Sequence, residues 1–213
     1  MTRLYNYFRS SASYRVRIAL ELKGLTYEYV PVHLTRNQQQ AGTYRALNPQ
    51  ALVPTWEDPS GVFPQSLAII EYLEETHPEP SLLPGSPAER ARVRALAQIV
   101  ACDVHPLNNL RVLEYLTREL AVGEAAKLGW YRHWVGAGLA AIERLLAESA
   151  ATGTFCHGER PTLADACLVP QLYNARRFDC DLAGFPIARR IEAACLALPA
   201  FERATPERQP DAS

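Results

Sequence analysis

The chain has 213 residues, 48% of them apolar, and a formal net charge of −1 from 22 basic and 23 acidic side chains. That suffices for one large domain or two modest ones with a real core, and the near-neutral balance argues against nucleic acid as the main partner, which calls for a basic excess. No run approaches the ~18 apolar residues of a membrane span, and Met1–Arg17, which carries Arg3, Arg9, Arg15 and Arg17, does not read as a secretory leader, so no membrane partner is expected.

The strand and helix signals come in a definite order. Leu4–Phe8 reads as a short strand. Ser13–Lys23 reads as a helix, with Val16, Ala19, Leu20 and Lys23 at helical spacing and Gly24 as its stop. Tyr27–His33, rich in Tyr and Val, reads as a second strand. Gln38–Leu47 reads as a helix ended by Asn48-Pro49. Pro54–Glu57 and Val62–Pro64 read as two strands joined by a turn over Asp58-Pro59-Ser60-Gly61. Leu67–Thr76 follows as a helix that Ser66 can cap. The order is βαβαββα.

Residues 77–87 carry Pro78, Pro80, Pro84, Pro87 and Gly85 and read as a linker. Strand signals then vanish. Ala88–Leu120 is helical with a break or kink near Pro106, and Glu124–Ala150 is a further helix. Thr162-Leu163-Ala164-Asp165 has the form of a capping box, opening a helix to about Phe178 that Pro170 should bend. Pro186–Ala197 is a last helix. The polar, Pro-rich tail Thr205–Ser213 is expected to lie over the surface. The cysteines Cys102, Cys156, Cys167, Cys180 and Cys195 have neither C-x-x-C nor zinc-ligand spacing. They read as reduced thiols of a cytoplasmic protein, with Cys102, Cys167 and Cys195 in the core and no metal site.

Local motifs sharpen this plan. Ser10 and Ser11 lie between a strand and a helix, where free backbone N–H groups and the helix dipole favour an anion. A serine hydroxyl there can donate to a thiolate and lower the pKa of a thiol held beside it. The segment Tyr7-Phe8-Arg9-Ser10-Ser11-Ala12-Ser13-Tyr14-Arg15-Val16-Arg17 resembles the serine-rich signature of the zeta class of glutathione transferases. Leu47-Asn48-Pro49 with Val53-Pro54, Gln65-Ser66 with the helix after it, and Asp103-Val104-His105-Pro106-Leu107-Asn108-Asn109-Leu110-Arg111 are similar to further motifs of that family. Likeness continues through Leu163-Ala164-Asp165, Leu168-Val169-Pro170-Gln171 and Arg208-Gln209-Pro210-Asp211, so it spans nearly the whole chain.

The resemblance implies a thioredoxin-like glutathione-binding domain over 1–82, a linker over 83–87 and an all-helical domain over 88–213. It implies glutathione as cofactor and a cytoplasmic homodimer. Ser10 and Ser11 become the catalytic residues and glutathione contacts, joined by Gln39, Val53 (before a cis-Pro54), Gln65, Ser66, His105 and Asn109. Arg9, Arg111 and Arg177 become the substrate side, because the guanidinium fork suits carboxylates. The implied substrate is a small unsaturated diacid whose cis double bond is isomerised. Maleylacetoacetate, from tyrosine and phenylalanine catabolism, is the leading candidate; maleylpyruvate of gentisate degradation and general transferase chemistry are the alternatives. Ala12 stands where the family often has cysteine, which does not disturb a serine-centred mechanism. A thiol–disulfide oxidoreductase would need a cysteine at the first helix, and none precedes Cys102. A non-catalytic relative is disfavoured by the intact Ser10, Pro54, Gln65 and Ser66.

Overall fold

A computed structural model describes residues 2–212. They divide into two compact units, residues 2–82 with 196–212, and Leu83–Cys195. The first unit holds β1 (Arg3–Asn6), α1 (Ser11–Leu22), β2 (Glu28–Pro31), α2 (Gly42–Leu47), β3 (Thr55–Asp58), β4 (Gly61–Pro64) and α3 (Ser66–Thr76). The sheet order is β2-β1-β3-β4, with β1 parallel to β2 and antiparallel to β3, and β3 antiparallel to β4. This is the expected βαβαββα order and the mixed sheet of a thioredoxin-like domain. β2 is shorter than the Tyr27–His33 run and is an edge strand, where Pro31 is tolerated without an N–H; the Val32 N–H beyond it still donates to the Asn6 carbonyl at 2.8 Å. The Gln38–Leu47 helix is also interrupted. Two 3₁₀ turns, Leu34–Arg36 and Gln38–Gln40, flank Asn37 at φ 55°, and extended Ala41 separates them from α2. Asn37 adopts the left-handed conformation that Asn tolerates better than most side chains.

Apolar side chains of α1 and α3 that are wholly buried, among them Val16, Ile18, Leu20, Ile69, Ile70 and Leu73, form the core of this unit. Lys23 at the end of α1 is equally buried and satisfies its charge on the Glu74 carboxylate (2.8 Å) and on the carbonyls of His77 (2.6 Å) and Pro80 (3.0 Å). Glu74 also accepts from the Leu82 N–H at 2.9 Å. The first part of the Pro-rich segment is thereby ordered against α3 rather than left as free linker.

The second unit is helical, and among the described residues no strand follows Pro64. α4 (Pro87–Gln98) opens on a Ser86–Glu89 capping box and runs into a π-helical stretch, Ile99–Val104, then α5 (His105–Leu107). The wide turn precedes Pro106, which lacks an N–H and crowds the carbonyl four residues back. The break expected near Pro106 is therefore a π stretch followed by a new start at α6 (Leu110–Arg118). α7 (Glu124–Ala147) crosses the π stretch at Gly138, where a Cβ would lie 2.1 Å from Val104 Cγ2. α8 (Leu163–Arg177) and α9 (Pro186–Leu196) complete the unit. Cys167 and Cys195 are buried as expected, but Cys102 is exposed on the π stretch. No helix of the described residues is long and apolar enough to cross a membrane.

The C-terminal residues depart most from the expected plan. α10 (Pro199–Ala204) and the turn Pro206–Arg208 belong with the first unit, not with the helical domain, and the tail is anchored there rather than merely lying over the surface. Phe201, Ala204 and Pro206 are buried.

The capping box at α8 is present, and Asp165 does more than cap. Its carboxylate is wholly buried and accepts from the Thr162 N–H and hydroxyl and from the Cys156 N–H, each at 2.8 Å. Burial pushes its pKa up against the pull of those donors. Asp165→Ala would strand buried N–H groups as well as remove a cap. We expect it to cost about 3 kcal/mol of unfolding free energy, above the ~1 kcal/mol of a cap alone, read by urea denaturation. A loss below ~1 kcal/mol would contradict this role.

Candidate active site

β1 delivers the chain into a tight turn in which the Ser10 N–H donates to the Tyr7 carbonyl at 2.9 Å. Ser10 then takes the N-cap of α1 in extended conformation (φ −70°, ψ 117°), and its Oγ accepts from the Ser13 N–H at 3.2 Å. That bond occupies a lone pair and leaves the hydroxyl proton to be donated. Ser11, 4% exposed, is the first helical residue. The first turn of a helix presents N–H groups without intrahelical partners, and no acidic residue lies in the first turn of α1. A thiolate beside Ser10 would therefore meet a hydroxyl donor and the positive end of a helix dipole. Arg9 is exposed next to it, its guanidinium 4.9 Å from the Phe8 ring centroid.

The Leu47-Asn48-Pro49 motif shapes a second part of the site. Asn48 Nδ2 donates to the Leu52 carbonyl at 2.8 Å and to Thr55 Oγ1 at 3.2 Å, and the Tyr44 hydroxyl reaches the same two groups at 2.6 and 2.9 Å. These bonds bracket Val53, which precedes Pro54 through a cis peptide. Among the described residues Val53 makes no backbone hydrogen bond, so its N–H and C=O suit pairing with an extended peptide. Val53 packs in one apolar cluster with Tyr7, Phe8, Val32 and Tyr44, which brings this segment beside the Ser10 turn.

Gln65 and Ser66 form a third part. Gln65 sits at φ 73°, ψ 117° before α3, and its amide bonds Gln50 Oε1 at 2.7 Å. Such a conformation in a non-glycine residue costs about 1–3 kcal/mol and gathers at ligand-binding positions. Ser66 is not the N-cap; Gln65 occupies that place without a capping bond, and Ser66 is the first residue of α3. Buried Arg15 donates to Ser66 Oγ at 3.2 Å, so the serine proton is available to a carboxylate at the helix start. Gln39, 8% exposed, carries a buried Oε1 without a partner among the described residues. A peptide ligand with amide N–H groups and a terminal carboxylate would satisfy these groups, so the chemistry of the site fits glutathione.

The remaining predicted residues lie in the second unit. His105 opens α5, and its Nε2 lies 3.4 Å from Asn109 Nδ2. Asn109 caps α6, accepting from the Arg111 N–H at 3.2 Å. Both side chains thus have structural partners, and Arg111 is exposed. Asn108 Nδ2 donates to the Tyr131 carbonyl at 3.4 Å, and the Tyr131 ring stacks on Phe178 at 3.8 Å. Arg177 is exposed at the end of α8, bonded to Asn174 Oδ1 at 3.2 Å, with its guanidinium 5.7 Å from the Phe178 ring. Tyr131 therefore gathers the α5–α6 junction and Arg177. Arg176 is consumed by a two-bond ion pair with Glu192, which leaves Arg177 as the member of the pair open to an anion.

Sequence reasoning missed Arg15, Arg17 and Asp211. The arginines look like solvated positions of an amphipathic helix, yet are 2% and 0% exposed. Their signal is the surplus of cations on a helix whose other residues are nearly all buried.

With this geometry in place, comparison identifies the class. The family model described as glutathione S-transferase, N-terminal domain, matches residues 4–81, and that for the C-terminal domain matches residues 129–197. A probable maleylacetoacetate isomerase of Vibrio cholerae is 51% identical over 211 residues, 98% of this chain and 97% of that protein. The holo structure of a maleyl pyruvate isomerase, a bacterial zeta-class glutathione S-transferase, superposes with a TM-score of 0.97 at 50% identity, covering 99% of this chain and 100% of that one. A maleylacetoacetate isomerase of Anaeromyxobacter dehalogenans, solved with dicarboxyethyl glutathione and citrate in its active site, gives 0.89 at 46% identity, covering 100% and 94%. The chain belongs to the glutathione S-transferase family, in its zeta class.

The backbone at Gln65 offers a test of function-linked strain. Gln65→Gly should relieve the positive φ and raise unfolding free energy by about 1 kcal/mol, net of glycine's greater freedom in the unfolded chain. It should also weaken glutathione binding severalfold, measured by calorimetry. A variant both less stable and unchanged in affinity would contradict the assignment.

Proposed function

We propose that the protein is a glutathione-dependent cis–trans isomerase that converts maleylacetoacetate to fumarylacetoacetate in the breakdown of tyrosine and phenylalanine. The observation that carries the mechanism is Ser10 at the N-terminus of α1, its lone pair engaged by Ser13 and its proton left to donate. When bound, glutathione supplies a thiolate that adds to the conjugated cis double bond, lets the resulting single bond rotate, and leaves again. The Ser10 hydroxyl and the α1 N-terminus hold that sulfur ionised near neutral pH. Ser11, Gln39, Val53, Gln65 and Ser66 hold and orient the tripeptide, with His105 and Asn109 as further contacts. Arg9, Arg177 and Arg111 bind the diacid and balance the negative charge that builds on its conjugated carbonyl during addition. No net proton or redox change is required.

Two comparisons support the choice of substrate class. Relatives at about half identity carry the isomerase names. The dicarboxyethyl group on glutathione in one of their sites is also what addition of a thiol across a four-carbon unsaturated diacid leaves. Maleylpyruvate is the second reading, favoured by the TM-score of 0.97 to a maleyl pyruvate isomerase; the residues described serve either diacid. We extend the family's homodimeric state and cytoplasmic location to this chain on the same basis.

Ser10→Ala is expected to keep the fold, hold glutathione affinity within about tenfold and lower turnover by roughly 10²–10³. Its pH–rate profile should move upward, because the thiol loses a donor to its ionised form. Ser11→Ala should follow the same pattern more weakly. Arg177→Ala should raise KM for the diacid without moving the profile. The measurement is a set of pH–rate profiles at saturating glutathione. Wild-type turnover and an unshifted profile in Ser10→Ala would overturn the serine-activated thiolate.

A further inference from the structure

The turn that presents Ser10 is held from a distant part of the chain. The Phe8 N–H donates to Asp211 Oδ2 at 3.2 Å across 203 residues of sequence, and the other oxygen of Asp211 accepts from the Tyr29 hydroxyl. On the other side of the same residue, the Phe8 carbonyl accepts from Arg17 Nη2 at 3.0 Å, and the Tyr7 carbonyl from Arg17 Nη1 at 3.4 Å. Phe8, two residues before Ser10, is thus clamped at its N–H by the C-terminal segment and at its C=O by α1.

That segment is itself tied to the first unit by hydrogen bonds. The Ala204 carbonyl accepts from Arg17 Nε at 3.0 Å, Arg203 pairs with Glu21 at 2.6 Å, and Gln209 Nε2 donates to the carbonyls of Arg203 and Thr205 at 2.9 and 2.8 Å. Ala212 packs against the cluster that contains Tyr7, Phe8 and Val53. Burial and the bond to Asp211 hold the Tyr29 phenol well above its ordinary pKa, so it remains a donor across the working pH range.

We propose that Asp211 is a positioning residue for the reaction, fixing through the Phe8 N–H and Tyr29 the turn that aims the Ser10 hydroxyl at the sulfur. Asp211 is half-buried, and its hydrogen bonds among the described residues go to the Phe8 N–H and the Tyr29 hydroxyl, neither of them assigned to glutathione or diacid, so its effect on the chemistry passes through backbone placement. A displacement of about 1 Å in a reacting group can cost of the order of 10²-fold in rate. A single lost tether on a turn otherwise held by Arg17 should cost less.

The inference rests on the serine–thiolate reading, so its test includes Ser10→Ala as the reference. The thiol of bound glutathione is titrated by its ultraviolet thiolate absorbance in wild type, Ser10→Ala, Asp211→Ala and Tyr29→Phe, alongside kcat, KM and urea unfolding. Asp211→Ala should raise the bound thiol's pKa by about one unit, equivalent to roughly tenfold less thiolate, lower kcat about tenfold at neutral pH and leave KM for glutathione within about threefold. Tyr29→Phe, which keeps the carboxylate but removes one of its donors, should move the titration the same way by a smaller amount. If Ser10→Ala shifts the titration while folded Asp211→Ala and Tyr29→Phe titrate like wild type, the positioning role is overturned and Asp211 merely anchors the tail. If Ser10→Ala itself leaves the titration unmoved, the underlying reading fails instead.

Discussion

A cation with no access to water organises the first unit. Arg17 is 0% exposed and, among the described residues, has no carboxylate in bonding contact; its guanidinium is satisfied by Asn6 Oδ1 and by the carbonyls of Tyr7, Phe8 and Ala204. Burial presses its pKa down, opposed by the nearby Tyr29, Tyr27, Tyr14 and Asp211. A buried charge is tolerable only when its hydrogen-bond capacity is met, so each of these oxygens is constrained by the need to meet it. Three belong to consecutive residues at the exit of β1, and the fourth to the C-terminal segment. The end of the strand, the turn into α1 and the tail are therefore one arrangement, and Ser10 inherits its position from it.

The residues proposed to face glutathione and the diacid show the same economy of donors and acceptors. Ser10 spends a lone pair on the Ser13 N–H, and Ser66 accepts from Arg15; each hydroxyl is left with a proton to give. Asn48 and Tyr44 hold Leu52 and Thr55, and the Val53 backbone between them has no hydrogen bond among the described residues. In the helical unit, Glu192 takes Arg176 and leaves Arg177. A site that ionises a thiol and receives a dianion needs donors and cations whose counter-groups lie elsewhere, and these residues have that character.

Much of this was legible in the sequence because it is local. Strand and helix order follow from periodicity and from Gly and Pro punctuation, and Thr162–Asp165 reads as a cap because capping is a three-residue relation. The serine motif was legible for the same reason, since a helix N-terminus next to a strand is defined by neighbours in the chain. What was not legible depends on contacts between distant residues. Arg15 and Arg17 look solvated until Ser66, Asn6 and Ala204 close over them. Asp211 stands in the Arg208–Asp211 motif, but nothing local shows its distant partners Phe8 and Tyr29, and residues 199–204 fall in the span expected of the helical domain because the sequence does not say which core they join. The Gln38–Leu47 helix is broken locally, at the extended Ala41 between the Gln38–Gln40 turn and α2, which helix propensity does not mark.

The account stands on a thiolate that is regenerated in each turnover. The most direct test follows cis–trans isomerisation of maleylacetoacetate and of maleylpyruvate by ultraviolet absorbance, with catalytic amounts of glutathione, with S-methylglutathione, and with neither. The account predicts many turnovers per glutathione with no thiol consumed, and no turnover with S-methylglutathione or without cofactor. Isomerisation that proceeds with the S-methylated peptide, or consumption of thiol in step with diacid, would contradict it.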